Sequence, residues 1–455
     1  MTHRNTLRLR LGRLCLTVAL CLGLAQAVAA FDSDFDFDEE ELFGSFSFVD
    51  ELDEAVPAED FLIQEGADFG GSFSFSMDSS WLWIDPERIG RTPDHESLTS
   101  TLEATFFADI RPKDDYRIFG KATVSYPFTE SEDHDTKPAR SFDDIIEIRE
   151  LFADFDHEDR WFFRVGKQTI GWGVGYFFSP ADIINLTPID PEDPEADREG
   201  PLSVKINRPL DRHNLYLYLL ADQAKRVDEL AVAPKAEIVL GGTEVGVGAY
   251  VKKDRAPMAM LTLSSGLGKT AVFAETVVKH GSDRRFVRQV DPTPANPSGI
   301  EIFKRDDGYF FSATGGLRYS YADDEGRYNL TLAAQYFYNG EGYDEPGLFI
   351  QTGLPLLAAG SLSVSDLDWP GKHYGAASLL WTDVLKSGVS ANLFCMGSLT
   401  ESNGYARASL SWEPLERIST SVGVSYVFGK DGGEYTIGGH PLTLDMRVSL
   451  GSGRF

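Results

Sequence analysis

Residues 328–338 read YNLTLAAQYFY, and this stretch decides the fold class. Every second residue from Tyr328 onward is apolar or aromatic, and the polar residues Asn329, Thr331 and Gln335 fall between them. A period of two places successive side chains on opposite faces of a sheet. Ordinary strands average about five or six residues, whereas a tilted strand that crosses a bilayer needs about nine to eleven. The stretch therefore predicts a membrane-crossing β-strand.

The same period recurs through most of residues 69–455. Apolar and polar side chains alternate in residues 98–110, 116–126 and 418–428, and aromatic residues gather near the ends of the segments. Lipid cannot satisfy the backbone groups at an open sheet edge, so the sheet must close. We predict an all-β fold, a closed antiparallel transmembrane β-barrel of about 18 strands. Roughly sixteen strands is the alternative, because both faces are apolar across residues 215–263.

The connections between the predicted strands alternate in length. Residues 156–160, 241–243 and 386–388 are short turn segments, whereas residues 170–202 and 339–372 are long. Short periplasmic turns and long outer loops are typical of bacterial barrels. The alternation continues through the whole chain only if the number of strands is even.

The amino-terminal residues predict export. Residues 1–30 combine four arginines, an uncharged apolar run at residues 14–24 and small residues up to Ala30, the pattern of a cleaved signal peptide. Residues 31–68 are acidic and lack periodic burial, so we expect a mobile periplasmic arm before the barrel at residues 69–455. The expected location is the bacterial outer membrane.

Charge and residue types exclude several classes of function. The chain carries 42 basic and 71 acidic residues, a net charge of −29, which argues against nucleic-acid binding. Cys395 is the only cysteine left after processing, so no intrachain disulfide is expected. The sequence contains no nucleophile elbow, phosphate-binding glycine loop or His/Cys metal spacing, so we expect no enzyme, cofactor or metal site. The acidic run DPEDPEAD at residues 190–197 lacks an EF-hand's pattern, and solvated acids are favoured over calcium ligands.

One segment resembles a known family. Residues 164–185 read RVGKQTIGWGVGYFFSPADIIN and resemble a G-(K/R)-Q…W-G…(S/N)-P-x-D stretch of porin-like outer-membrane barrels, some of them near alginate-export and other substrate-selective channels. The matching residues are Gly166, Lys167, Gln168, Trp172, Gly173, Ser179, Pro180 and Asp182. The resemblance implies that the third long connection, residues 170–202, folds inward and narrows the barrel. It also implies outer-membrane lipid as surroundings and a homo-oligomer as an assembly. The terminal Phe455 resembles the signal that the barrel-assembly machinery reads.

The predicted site combines the barrel wall with this loop. The predicted pore wall is mostly basic or amide-bearing and consists of Arg117, Lys121, Arg164, Arg318, Gln335, Arg407 and Arg447. The predicted constriction residues of the loop are Gln168, Trp172, Asp182, Asp190, Glu192 and Asp193. An acidic loop facing a basic wall would create a transverse field that orients polar solutes. Alternatively, the charges pair and hold the loop down, and the sequence leaves both interpretations open.

The leading functional hypothesis is a porin for the diffusion of small hydrophilic solutes, since a barrel of this size leaves an aqueous bore. A second hypothesis is a plugged transporter for a bulkier or apolar substrate, in which residues 354–359 and the apolar midsection take part. A third is a structural or adhesive surface protein that acts through its long acidic outer loops. Steady ion conductance distinguishes the first hypothesis from the second. For the third, cells that lack the protein would lose attachment and keep their solute permeability.

Overall fold

The computed structural model describes residues 66–89, 92–113, 116–129, 145–222 and 224–454. The predicted signal peptide and residues 31–65 of the predicted arm lie outside the described residues, as does Phe455. The first strand begins at Gly66, three residues before the predicted start of the barrel at residue 69. Residues 71–75, GSFSF, alternate small and aromatic side chains, and they lie inside a strand that has already begun at Gly66.

Twenty strands and one α-helix occur in these residues. The strands are β1 Gly66–Trp83, β2 His95–Lys113, β3 Tyr116–Pro127, β4 Ile146–His157, β5 Trp161–Lys167, β6 Leu202–Leu210, β7 His213–Leu220, β8 Ala231–Leu240, β9 Thr243–Tyr250, β10 Met258–Leu267, β11 Thr270–His280, β12 Arg285–Gln289, β13 Ile300–Lys304, β14 Tyr309–Ala322, β15 Asn329–Tyr338, β16 His373–Thr382, β17 Val389–Ser398, β18 Asn403–Leu415, β19 Ile418–Gly429 and β20 Leu442–Arg454. The helix is α1, Gly347–Ala358, and short 3₁₀ turns lie at Pro86–Arg88, Val227–Glu229, Val364–Asp366 and Val384–Lys386.

Eighteen of the strands form one closed sheet. Each pairs antiparallel with its neighbours in sequence, β11 pairs with β14, and β1 pairs with β20 to close the ring. The remaining two strands, β12 and β13, form a separate hairpin in the connection between β11 and β14. The predicted closed antiparallel barrel is confirmed, with 18 strands rather than the alternative of sixteen.

The closing pair contains the bulge that the sequence suggests near its end. Leu444, Met446, Val448 and Leu450 share a phase that the terminal residue does not, which predicts a bulge at Gly451 or Gly453. In the structure the register between β1 and β20 shifts between Phe73 and Phe75, and Gly451 adopts a φ of +87°. A left-handed φ favours glycine, so the bulge forms where the sequence permits it.

Connection lengths alternate around the barrel as predicted. Turns of two residues, 211–212 and 241–242, join β6 to β7 and β8 to β9. Long connections at residues 168–201, 281–308 and 339–372 lie on the opposite rim. The turn at residues 268–269 between β10 and β11 was not predicted, because it follows the stretch in which strand limits were ambiguous.

The outer surface of the barrel is apolar. Leu98, Phe106, Leu261, Tyr336 and Leu450 are among many large apolar side chains that are exposed on it, and Leu261 is 45% exposed. These residues occupy the alternate positions that the two-residue period assigns to one face. Exposed apolar strands on a closed sheet are the arrangement that a lipid bilayer requires.

The inner face of strands β7 to β11 is largely apolar as well, and this explains the ambiguous stretch at residues 215–263. Tyr218, Ala233, Met260 and Val277 point inward and are buried beneath residues of the 168–201 connection. An inner face that packs against protein instead of water carries no polar alternation. The pattern is lost because this part of the lumen is filled.

The outer connections form a small cluster of their own. Val287 of β12, Phe349 of α1 and Leu362 are buried together, and Ile300 and Ile302 pack against them. The apolar residues 354–359, which the second hypothesis assigns to a plug, belong to the end of α1 and the turn after it, and Leu354 is exposed. Within the described ranges, no helix is long and apolar enough to cross a membrane.

Candidate pore constriction

The segment 168–201, here called the inner loop, leaves the barrel wall at the end of β5. Gly166 adopts a φ of +143°, and a Cβ there would overlap the Leu151 carbonyl and lie 2.6 Å from Phe152 Cα. Glycine is therefore required for β4 and β5 to approach each other at this point. Gln168 is buried, and its Nε2 donates to Ser203 Oγ at 3.0 Å. The first residue of the inner loop is thus fastened to β6 and does not face the lumen.

A buried carboxylate on β11 is the first anchor of the inner loop. Glu275 is 1% exposed. Its Oε1 accepts the backbone N–H of Gly175 at 2.5 Å and that of Val174, and its Oε2 accepts the N–H of Ala181 at 3.0 Å. The Ser179 hydroxyl donates to Oε1 at 2.9 Å. Hydrogen bonds to an ionised acceptor are the strong ones, so this carboxylate holds residues 174–181 against the wall.

An amide on β15 is the second anchor. Gln335 Oε1 accepts the N–H groups of Phe177 at 2.6 Å, Tyr176 at 3.1 Å and Phe178 at 3.3 Å. Its Nε2 donates to Phe178 O at 2.5 Å and to Thr314 Oγ1 at 2.6 Å. Gln335 points inward, as its strand phase predicts, but the inner loop covers it. It therefore positions the loop and is not accessible to a solute.

Apolar packing holds the inner loop on two sides of the barrel. Trp172 is 1% exposed and meets Tyr218 of β7 edge-on, with ring centroids 5.3 Å apart. Phe178 stacks on Phe337 of β15 at 5.4 Å, and Phe177 packs near Phe394 of β17 at 5.7 Å. Trp172 is thus a wedge between loop and wall, and it does not line the open lumen.

The acidic end of the inner loop reaches opposite walls. Glu195 Oε1 lies 3.5 Å from Arg318 Nη1 on β14, and Asp197 Oδ2 lies 2.5 Å from Lys121 Nζ on β3. In the ring of 18 strands, β3 and β14 are nine strands apart in either direction. Two residues further along an extended chain span at most about 7 Å. The inner loop therefore crosses the lumen and is held from both sides.

The wall is less basic than the sequence suggests, because its arginines pair with wall carboxylates. Arg117 Nε lies 2.8 Å from Asp109, and Arg164 Nε lies 2.7 Å from Asp154. Arg407 binds Asp445 through two contacts at 2.7 and 2.8 Å. Arg447 pairs with Asp78 on the neighbouring strand β1. The sequence alone does not specify the strand register that brings these acids opposite the arginines.

The predicted acidic residues of the inner loop fall into two groups. Asp182 pairs with Arg198 within the loop, and its side chain is 4% exposed, so it does not face the lumen. Asp190 and Asp193 are exposed, and among the described residues neither forms an ion pair with Lys or Arg. Glu192 lies 3.9 Å from Arg407 Nε, an arginine that Asp445 already holds more closely. Pairing to the wall therefore accounts for Glu195 and Asp197 but not for Asp190 and Asp193.

The side of the lumen away from the inner loop's apolar contacts is lined by hydroxyl groups. Ser80 Oγ on β1 and Ser97 Oγ on β2 are 2.7 Å apart, and Thr105 Oγ1 and Thr123 Oγ1 on β2 and β3 are 3.1 Å apart. These strands thus present hydroxyl side chains on their inner face, in contrast to the largely apolar inner face of β7 to β11.

The described residues contain no group of three or more His, Cys, Asp or Glu side chains placed to hold a metal ion, and this includes the acidic run at residues 190–197. The carboxylates of that run are spread between β14, β18 and β3 instead of converging on one point.

No family model and no curated protein matches the chain. Among solved structures, the chain is similar to OccAB1 of Acinetobacter baumannii, with 10% identity and a TM-score of 0.48 over 84% of this chain and 96% of that one. It is also similar to OpdK of Pseudomonas aeruginosa, solved with vanillate, with 10% identity and a TM-score of 0.46 over 85% of this chain and 99% of that one. A further similar structure is OmpF of Salmonella typhi in complex with daunomycin, with 11% identity and a TM-score of 0.40 over 86% of this chain and 97% of that one.

These neighbours are outer-membrane porins, and none of the three supports the finer resemblance to alginate-export channels. At such low identity and TM-scores, their ligands are not carried over to this chain. The barrel assignment stands on the pairing of the chain's own strands.

Proposed function

We propose that this protein is a porin of the bacterial outer membrane through which small hydrophilic solutes diffuse past the inner loop. The observation that carries the proposal is the crossing of the lumen by residues 195–197, which contact β14 and β3 in a closed 18-stranded barrel. A barrel of this size encloses water unless it is plugged, and the hydroxyl-lined strands β1 to β3 leave a polar path beside the loop. The inner loop then sets the width of the path.

Export fits this function. We propose that residues 1–30 are removed as a signal peptide and that the barrel-assembly machinery inserts the chain. Oligomerisation is part of the same proposal, because many porins assemble into homo-oligomers. Size-exclusion chromatography with light scattering in detergent measures the number of copies directly.

The proposal is tested by electrical recording from the purified, full-length processed protein in a planar bilayer. Discrete, ohmic steps of conductance that persist for seconds support a porin. A well-folded barrel that inserts but passes no ions supports the plugged transporter instead and overturns the proposal. Folding is checked independently by the change in electrophoretic mobility on heating.

One loop variant and one control variant sharpen this test. Trp172→Ala removes the wedge against β7, and Glu103→Ala removes a carboxylate from the inner face of β2 without touching the inner loop. If the inner loop limits the path, Trp172→Ala increases the conductance per channel while Glu103→Ala leaves it nearly unchanged. Equal conductance in all three proteins contradicts the role of the loop and leaves the porin proposal to the recording described above.

A further inference from the structure

The arginines of the wall are largely compensated by carboxylates of the wall. All of the predicted wall arginines except Arg318 have a carboxylate partner on the wall. These pairs are Arg117–Asp109, Arg164–Asp154, Arg407–Asp445 and Arg447–Asp78. Paired opposite charges on adjacent strands present little net charge to a passing ion. Guanidinium groups are also fixed over aromatic rings, as with Arg164 above Phe152 at 4.0 Å. These paired arginines therefore contribute little preference for either sign of charge.

The charges of the inner loop do not cancel. Residues 168–201 contain seven acidic residues and one basic residue, Arg198, which pairs with Asp182. Three of the acids are compensated by basic side chains of the wall. Lys121 binds Asp197, Arg318 binds Glu195, and Lys167 Nζ lies 2.6 Å from Glu199 Oε1. Asp190, Glu192 and Asp193 remain with no lysine or arginine held closely by them among the described residues.

These three carboxylates lie on a restrained turn of the inner loop. Asp193 N donates to Asp190 O at 3.1 Å, which closes a tight turn, and Pro191 and Pro194 restrict the backbone around it. Glu192 points toward Arg407 on β18, and Glu195, two residues after Asp193, is bound to Arg318 on β14. The exposed carboxylates of Asp190 and Asp193 are therefore held between β14 and β18, on the segment that crosses the lumen.

From this arrangement we infer that the channel prefers cations, and that Asp190, Glu192 and Asp193 of the inner loop set the preference; the inference rests on the proposed function. Small cationic hydrophilic solutes, such as amines and basic amino acids, then pass faster than anionic solutes of the same size. One unit charge acting at 4 Å in water changes the local concentration of an ion about fivefold. Neutralising two of the three carboxylates therefore lowers the preference at least about fivefold.

The test is the reversal potential of single channels in a bilayer of uncharged lipid under a gradient of dilute KCl. The test variant combines Asp190→Asn with Asp193→Asn, and the matched control combines Asp306→Asn with Asp307→Asn. The control removes the same charge from exposed residues of the outer connection between β11 and β14. Both changes are nearly isosteric, so neither is expected to disturb folding.

The inference predicts a K⁺-selective wild-type channel, a permeability ratio at least about fivefold lower in the loop variant, and an unchanged ratio in the control. Concentrated KCl, which screens charges, abolishes the difference. An open channel that prefers Cl⁻ or neither ion overturns the inference and leaves the porin proposal standing. A cation preference that survives the loop variant overturns the assignment to these residues. The absence of any conductance overturns the proposed function and the inference together.

A second readout measures the solutes directly. In proteoliposomes, swelling with arginine is expected to be faster than swelling with glutamate, and the loop variant narrows this difference. Equal rates for the two amino acids in the wild type contradict the cation preference.

Discussion

Removal of the Glu275 carboxylate is the sharpest perturbation of the inner loop. Glu275→Ala deletes the acceptor of three backbone N–H groups and of the Ser179 hydroxyl. A hydrogen bond to a charged group contributes about 1.5–3 kcal/mol, and the buried donors left behind lose their partner. If two of the four bonds are lost in full, docking of the loop weakens by about 4 kcal/mol, which increases the undocked population about a thousandfold.

Two assays measure this change. Single channels of Glu275→Ala are expected to fluctuate between a narrow and a wider conductance, whereas the wild type stays narrow. Trypsin is expected to cleave after Arg198 in the variant, because Arg198 is held by Asp182 only while the loop is folded. Glu103→Ala, which removes a carboxylate from the lumen without loop contacts, is the control. A Glu275→Ala channel that is as quiet and as resistant to trypsin as the wild type refutes the role of this anchor.

Three further perturbations have defined outcomes. Trp172→Ala leaves a cavity beside Tyr218 and is expected to weaken loop docking by about 3–5 kcal/mol, so the channel conducts more; an equal or lower conductance contradicts the wedge. Gly166→Ala places a Cβ against Phe152 at a φ of +143° and is expected to reduce the yield of heat-modifiable barrel, whereas Gly347→Ala, with open space around it, is expected to leave that yield unchanged. Burial and the nearby Glu401 raise the pKa of Glu434, in the outer connection between β19 and β20, from 4.5 to about 7, although the bond from Tyr374 opposes this. Its stabilisation of the folded connection is thus fully present below pH 4.5 and is lost as the pH rises through about 7. Hydrogen exchange at residues 430–441, corrected for intrinsic rates, is expected to be faster at high pH, and Glu434→Gln is expected to remove the difference.

The barrel is predictable from local alternation because lipid and water act on opposite faces of each strand. In β15, Leu330 and Tyr336 face outward and Gln335 faces inward, as the sequence indicates. The rule fails for β7 to β10, where the inner face meets Trp172 and Ile184 of the inner loop instead of water. Alternation reflects the different surroundings of the two faces of a strand. It is therefore lost where protein, instead of water, covers the inner face.

The site is less predictable than the fold because it depends on register and on long-range contacts. Glu275 lies between the inward-facing Phe273 and Val277, and the sequence does not show which donors its carboxylate meets. The pairing of Arg164 with Asp154 requires the register of β4 and β5, which the sequence does not specify. A carboxylate on the inner face of an otherwise apolar strand is the one signal that would have pointed to Glu275, since burying it demands donors.

The central claim is that the inner loop crosses the path of the ions, and chemical modification at position 193 tests it most directly. In a Cys395→Ser background, Asp193→Cys provides a single thiol on the crossing segment, and Asp306→Cys provides one on the outer connection. Conductance of single channels is recorded before and after addition of a bulky methanethiosulfonate reagent. We predict a stepwise loss of conductance for Asp193→Cys and no change for Asp306→Cys. Complete modification of Asp193→Cys, verified by mass spectrometry, with the conductance unchanged would show that the inner loop does not cross the path of the ions.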